Sequence, residues 1–228
     1  MSLGCHPVAL SLFRLFKIIS RKGIGIIDKH TEIVIEGYPR SANTFAIVAL
    51  QQAESHPVKI AHHLHAPAQI IWATRKCIPS LVLIRKPVDA VISLCIRQPY
   101  VSFRQALRNY IRFYTRIFPY RDKYVVTTFD EVISNYDEII RKVNARFGTF
   151  FAIFEPTEEN MRKCYEFIDK MDLRDTKFEK VTATTVARPS QEREKMKDLF
   201  KKELKENSLR DLIIQAEAIY YKMVQKTG

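Results

Sequence analysis

The chain has few of the residues that build disulfide or metal frameworks. Its 228 residues include only four cysteines, Cys5, Cys77, Cys95 and Cys164, and no two of them form a C-x-x-C pair. Small secreted domains and zinc modules rely on closely spaced cysteines, so the spacing argues against both classes. We therefore expect reduced thiols in a cytoplasmic protein.

Long hydrophobic runs are also missing. The most apolar stretch, VALSLFRLFKII at residues 8–19, is interrupted by Arg14 and Lys17. A membrane-spanning helix needs about 20 predominantly apolar residues, so no transmembrane segment is expected, and the stretch lacks the pattern of a signal peptide. We expect an amphipathic helix packed on the domain. Weak association with a membrane surface is the alternative.

Acidic residues are fewer than basic residues. Lys and Arg number 37 against 25 Asp and Glu, which gives a net charge of +12. This excess favours an anionic partner: a nucleotide, a nucleic acid, an acidic polysaccharide or a membrane surface. A hydrophobic share of 46% and a charged share of 27% are ordinary globular values. The length suits a single domain, with a core at about residues 30–150 and a helical C-terminal part at about 156–228.

Strand and helix patterns alternate along the core. Short apolar runs predict buried strands at residues 32–37, 58–63, 81–85 and 123–130. Helices are predicted at 44–53, 87–98, 103–118 and 134–148, and a polar loop at 176–190. Such alternation predicts a mostly parallel α/β sheet, and ligands of such sheets bind at the carboxyl ends of the strands.

The turn after the first strand, EGYPRSANTF, lacks two residues of a triphosphate-binding loop. Counted from Gly37, the pattern G-x-x-x-x-G-K-[ST] requires glycine at position 42 and lysine at 43, where the chain has Ala42 and Asn43. The lysine that meets the β- and γ-phosphates of ATP is therefore absent. A strand-to-helix turn still offers backbone N–H groups and the positive helix end to an anion. The residues alone fit an ordinary polar turn or a loop for another anion.

A second motif separates these alternatives. LIRKPVDAVISL, residues 83–94, places Arg85 at a strand end and Ser93 two turns into the next helix. Together the segments resemble the sulfotransferases that use 3'-phosphoadenosine 5'-phosphosulfate (PAPS). The family motif Y-P-[KR]-S-G-[TN]-T-[WF] corresponds to residues 38–45, and R-x-P-x-D-x-x-x-S is matched by Arg85, Pro87, Asp89 and Ser93. The resemblance spans about residues 32–148.

This resemblance implies a fold, a reaction and a site. The fold is a P-loop-NTPase-like three-layer α/β fold with a mostly parallel central sheet flanked by helices. The reaction is transfer of a sulfuryl group from PAPS to a hydroxyl or amine, leaving adenosine 3',5'-bisphosphate, without a metal. The 5'-phosphosulfate would be held by Arg40, Ser41, Ala42, Asn43, Thr44 and Phe45, and the 3'-phosphate by Arg85 and Ser93. Arg40 would also neutralise charge on the departing phosphate.

The sequence departs from the family at two places. Ala42 replaces the usual glycine. A turn tolerates this replacement unless the φ angle of residue 42 is positive. The family's C-terminal R-K-G…G-x-W-K segment is absent. Its substitute candidate is TVARPSQER, residues 185–193, where Arg188 or Arg193 would cover the nucleotide. A solvated polar loop is the alternative for this segment.

A histidine cluster, AHHLHAPAQ at residues 61–69, follows the second strand. The family carries a catalytic histidine here, often as H-x-P, which fits His65; spacing back from Arg85 also permits His63. In an extended segment these two would share one face while His62 points elsewhere. A zinc site is the rival, but no cysteine or carboxylate lies close by in sequence. We expect His65 to be the general base, with His63 second.

Four arginines, Arg104, Arg108, Arg112 and Arg116, recur every four residues. They form either a solvated basic face or a track for an acidic acceptor. The acceptor is expected to be a small molecule or a saccharide.

Two rival functions remain: a P-loop kinase or NTPase, and a basic nucleic-acid or membrane-surface binding module. The first lacks its lysine and the second has no recognised nucleic-acid motif, so no nucleic acid is expected as partner.

Overall fold

A computed structural model describes residues 25–176 and 209–225, together with residues 195, 196, 198 and 200. The segment predicted as an amphipathic helix, residues 8–19, lies outside the described residues. The predicted loop at 176–190 lies outside them from residue 177 onward, and so do Arg188 and Arg193.

The central sheet is entirely parallel. Its strands are β1 (Ile33–Gly37), β2 (Ile60–His62), β3 (Ser80–Ile84) and β4 (Val125–Thr128), in the order β2-β1-β3-β4. Every residue of β1 and β3 is buried, as their continuous apolar runs predict. The α/β prediction is confirmed. The fourth strand is shorter than predicted because Thr128 caps the next helix, where Thr128 and Glu131 form a capping box.

Helices connect and cover the strands. They are α1 (Asn43–Ala53), α2 (Pro67–Arg75), α3 (Pro87–Arg97), α4 (Phe103–Ile117), α5 (Phe129–Ser134), α6 (Tyr136–Phe147), α7 (Glu158–Thr176) and α8 (Arg210–Val224). Helix α2 was not predicted, although Pro67 is a typical first-turn residue. The helix predicted at 134–148 is divided at Asn135, and Gly148 ends it in the left-handed conformation. Within the described ranges, none of these helices is both long and apolar enough to cross a bilayer.

Two hydrophobic layers enclose the sheet. One contains buried residues of α1, α5, α6 and α7, and the other contains buried residues of α3, α4 and α8, while α2 covers a smaller cluster beside β1. The helix α4 also anchors the carboxyl end of β3. Its Tyr114 hydroxyl donates to the Leu83 carbonyl at 2.8 Å, and its Tyr110 hydroxyl donates to the Arg85 carbonyl at 2.7 Å. Arg85, which follows β3, is thereby held in position by a buried tyrosine of the core.

Candidate functional site

The carboxyl ends of β1 and β3 open onto a cavity of about 230 Å³. Its lining includes all but two of the residues predicted as site residues: Arg40, Ala42, Asn43, Thr44, Phe45, His63, His65, Arg85 and Ser93. Of the other two, Ser41 is fully buried and does not line the cavity, and Arg188 lies outside the described residues. Three separate sequence segments therefore meet around one space.

The loop before α1 has a backbone that favours glycine. Arg40 and Ala42 have φ angles of 70° and 68°. The condition under which alanine would fit without strain, a negative φ at position 42, is therefore not met. A left-handed conformation costs a residue with a side chain about 1–2 kcal/mol, so the surrounding structure must hold this loop in place.

The N-terminus of α1 presents its backbone N–H groups without a side-chain cap. Ala42 is left-handed and Asn43 begins the helix, a succession that arranges neighbouring N–H groups into an anion-binding concavity. One donor of the Asn43 side chain is already used, since its Nδ2 donates to the Tyr38 carbonyl at 3.2 Å, and its Oδ1 can only accept. The loop therefore offers an anion backbone N–H groups, the positive helix end, the Arg40 guanidinium and the Thr44 hydroxyl, whose Oγ1 also lies 3.2 Å from His63 Nε2.

Hydrogen bonds join the two predicted motifs. Arg40 Nε donates to Ser93 Oγ at 3.1 Å, and Arg85 Nη1 donates to the Arg40 carbonyl at 3.1 Å. The Arg85 guanidinium also lies over the Phe129 ring, 3.9 Å from its centroid. These contacts hold two positive side chains against one cavity in a fixed arrangement, as an anion site with little reorganisation requires.

The tautomer of His65 follows from its surroundings. Its Nδ1 lies 2.8 Å from the Gly37 carbonyl oxygen, which can only accept, so Nδ1 carries the proton and Nε2 is the basic nitrogen of the neutral ring. Burial lowers the pKa of His65; the bond to Gly37 opposes this shift and the Arg40 charge adds to it. The neutral form, the one that takes up a proton, is thus favoured at pH 7.

Both ring nitrogens of His63 have partners inside the protein. Nε2 lies 3.2 Å from Thr44 Oγ1, and Nδ1 lies 2.7 Å from Nδ1 of His62. Burial, followed by the neighbouring His65 and His62, holds the pKa of His63 well below its ordinary value. Among the residues that the structure describes, none forms a hydrogen bond with the second nitrogen of His65, Nε2, so His65 is the better placed base of the two.

In an extended segment, His62 was expected to point away from the face that His63 and His65 share. Its ring contacts that of His63 with a centroid distance of 4.9 Å, although His62 does not line the cavity. The expectation assumed an extended segment, whereas His63 and His65 have φ angles of 56° and 50°.

In the ranges that the structure describes, no group of three or more histidine, cysteine, aspartate or glutamate residues is arranged to hold a metal ion.

A buried carboxyl group, which the sequence analysis did not single out, supports the histidine loop. Glu36 is fully buried at the end of β1. Its Oε1 accepts from the Leu64 N–H at 2.7 Å and from Gln69 Nε2 at 2.9 Å, and its Oε2 accepts from the His65 N–H at 3.2 Å. These bonds satisfy backbone groups in the left-handed stretch that carries His65. Its only sequence signal is one acidic residue at the end of an apolar strand.

We expect the contribution of Glu36 to stability to depend on pH. Burial raises its pKa from 4.5 to about 8, so between these values the folded state keeps a proton that the unfolded state has lost. The stability of the wild type relative to Glu36→Gln should therefore fall as pH rises through this window. Urea denaturation of both proteins at pH 5 and pH 8 measures the change. Glu138→Gln, at an exposed carboxylate, is the control. A wild-type advantage that grows with pH would show that Glu36 is ionised in the fold.

An apolar wall of the cavity was also missed. Phe129 and Ile133 come from α5, and Tyr165 and Ile168 from α7; with Phe45 they form one side of the space. No local pattern marks these residues, because they belong to helices far apart in the sequence. The wall provides an apolar surface next to the charged groups.

Comparisons with known proteins add a likeness but no family. No family model matches the chain, and no curated protein matches it. Among solved structures, mouse sulfotransferase SULT7A1 complexed with PAP resembles it with a TM-score of 0.44 at 11% sequence identity, covering 84% of this chain and 90% of that one. A likeness of this size identifies neither a family nor an activity, so the function has to be argued from the cavity itself.

Proposed function

We propose that the chain is a sulfotransferase that moves a sulfuryl group from PAPS to a hydroxyl or amine. The observation that carries the proposal is that hydrogen bonds join the motif at residues 38–45 to the motif at residues 85–93, beside His65, whose tautomer is defined. Arg40 is bonded to Ser93, Arg85 is bonded to the Arg40 carbonyl, and His65 lines the same cavity. Separate turns with unrelated roles would not need these bonds.

The described residues fit the donor nucleotide. Its 5'-phosphosulfate would lie at the uncapped N-terminus of α1, between Arg40 and Thr44. Its 3'-phosphate would be held by Arg85 and Ser93 through charge-assisted hydrogen bonds. The apolar wall that includes Phe129 suits the face of an adenine ring. Arg188 remains the predicted cover over the nucleotide.

His65 and Arg40 would divide the chemistry between them. The donor, when bound, supplies the sulfuryl group. His65 Nε2 takes the acceptor's proton as the acceptor atom attacks sulfur and the bond from sulfur to the phosphate oxygen breaks. The Arg40 guanidinium, held by Ser93, neutralises the negative charge that grows on that oxygen. Gly37 keeps the histidine ring oriented through the Nδ1 bond.

A thermal-shift panel separates the candidate functions. Adenosine 3',5'-bisphosphate is expected to stabilise the protein in the presence of EDTA, because fixed cationic groups replace a metal in binding the phosphates. ATP with Mg²⁺ and a short DNA duplex should have smaller effects. A larger shift with ATP and Mg²⁺ would support a kinase or NTPase, and a larger shift with DNA would support a nucleic-acid-binding module; either result would refute the proposal.

A further inference from the structure

A second cavity adjoins the first at His65. It measures about 260 Å³ and shares Pro39, His65, Leu94 and Gln98 with the nucleotide cavity. The proposed base therefore borders two spaces. One is lined by most of the residues predicted to bind the donor, and the predicted phosphate-binding side chains are not among the residues that line the other.

The walls of the second cavity combine apolar and cationic groups. Tyr38, Val101 and Phe113 line it together with Asn109 and Arg112 of α4. Arg112 Nη2 donates to Asn109 Oδ1 at 2.6 Å, which orients the guanidinium beside this cavity. A ligand here would meet an aromatic and aliphatic surface along its body and a positive charge at one end.

A basic surface leads towards this cavity. Arg112 also lines a neighbouring recess on α4 together with Arg104 and Arg108. In the part of the chain that the structure describes, no carboxylate lies within ion-pair distance of Arg108 or Arg112. The positive charge of both is thus not balanced by the described carboxylates, and it would attract an anion towards the second cavity.

We propose that this second cavity is the acceptor site and that it takes a small molecule with an apolar body and an anionic group, such as a carboxylate, that pairs with Arg112. The inference rests on the proposed function of the neighbouring cavity. The acceptor's hydroxyl or amine would lie at His65, and its anionic group would lie at Arg112. The volume of about 260 Å³ lies just below the usual range for ligand pockets, about 300–1,000 Å³, and this favours a small molecule over a polysaccharide segment.

Matched pairs of ligands test the charge requirement. Four phenols that carry a carboxylate, among them 4-hydroxyphenylacetate and 4-hydroxybenzoate, are compared with their neutral carboxamides by calorimetry. The protein is saturated with adenosine 3',5'-bisphosphate in these titrations. At least one acid should bind tenfold or more tightly than its amide, as expected for a hydrogen bond to a charged group.

Two variants locate the effect. In Arg112→Gln the preference for the acid should disappear while the affinity for the bisphosphate stays unchanged. Arg116→Gln, one helical turn further along α4 and outside both cavities, should keep the preference. If no acid binds more tightly than its amide, or if Arg112→Gln keeps the preference, the inference is wrong. The bisphosphate titration judges the proposed function separately, so a protein that binds it without preferring acids loses only the acceptor assignment.

Discussion

His65→Asn is expected to lower kcat by about 10²–10⁴ while leaving the affinity for adenosine 3',5'-bisphosphate close to that of the wild type. The asparagine amide can replace the Nδ1–H donor to the Gly37 carbonyl, so the variant removes Nε2 with little disturbance of the loop. The measurement is kcat with a turned-over phenol, beside calorimetric affinity for the bisphosphate.

The pH profile adds a second readout for the same residue. Burial lowers the pKa of His65 below its ordinary value of 6.5. The wild-type rate should therefore be constant around pH 7 and should decline only as the pH falls below 6.5. His30→Ala, at an exposed turn residue, is the matched control and should change neither rate nor profile. If His63→Ala loses the rate and His65→Asn does not, the base is His63; full activity in both would contradict base catalysis by this cluster.

Arg85→Ala should reduce the preference for adenosine 3',5'-bisphosphate over AMP by about 1.5–3 kcal/mol, the usual contribution of a hydrogen bond to a charged group. The two nucleotides differ only in the 3'-phosphate, which Arg85 and Ser93 are proposed to hold. Calorimetric titration of each protein with each nucleotide gives the four affinities required.

A control separates this effect from a general loss of positive charge. Arg75→Ala removes an exposed arginine from α2 and should leave the ratio of affinities unchanged. Arg85 also donates to the Arg40 carbonyl, so its loss is expected to weaken AMP binding as well. It is the ratio that reports on the 3'-phosphate. An unchanged ratio in Arg85→Ala would place that phosphate elsewhere.

The fold was predictable wherever the sequence carries a local signal. The apolar runs of β1 and β3 predict buried parallel strands, and Pro87 and Gly148 mark a helix start and a helix end that the structure confirms. Competition between local signals caused the error at the end of β4, whereas helix α2 was missed although Pro67 marks its start. The apolar run of β4 continues past Thr128, where a capping box starts a helix instead.

The site was predictable only as far as motifs reach. Arg40, Arg85, His63 and His65 lie in recognisable segments, and the structure brings them to one cavity. Glu36 and the wall formed by Phe129 act through long-range contacts, which no spacing along the chain encodes. The left-handed angles of His63 and His65 are likewise unmarked in the sequence; in the fold, the buried Glu36 carboxyl group accepts from the backbone N–H groups of Leu64 and His65.

The central claim, that this cavity binds a 3'-phosphorylated adenosine nucleotide without a metal, is tested most directly by titrating the wild-type protein in EDTA with adenosine 3',5'-bisphosphate and with AMP. The account predicts that the bisphosphate binds at least tenfold more tightly, since the 3'-phosphate adds hydrogen bonds to Arg85 and Ser93. Equal affinities, or binding that requires a divalent metal, would contradict it.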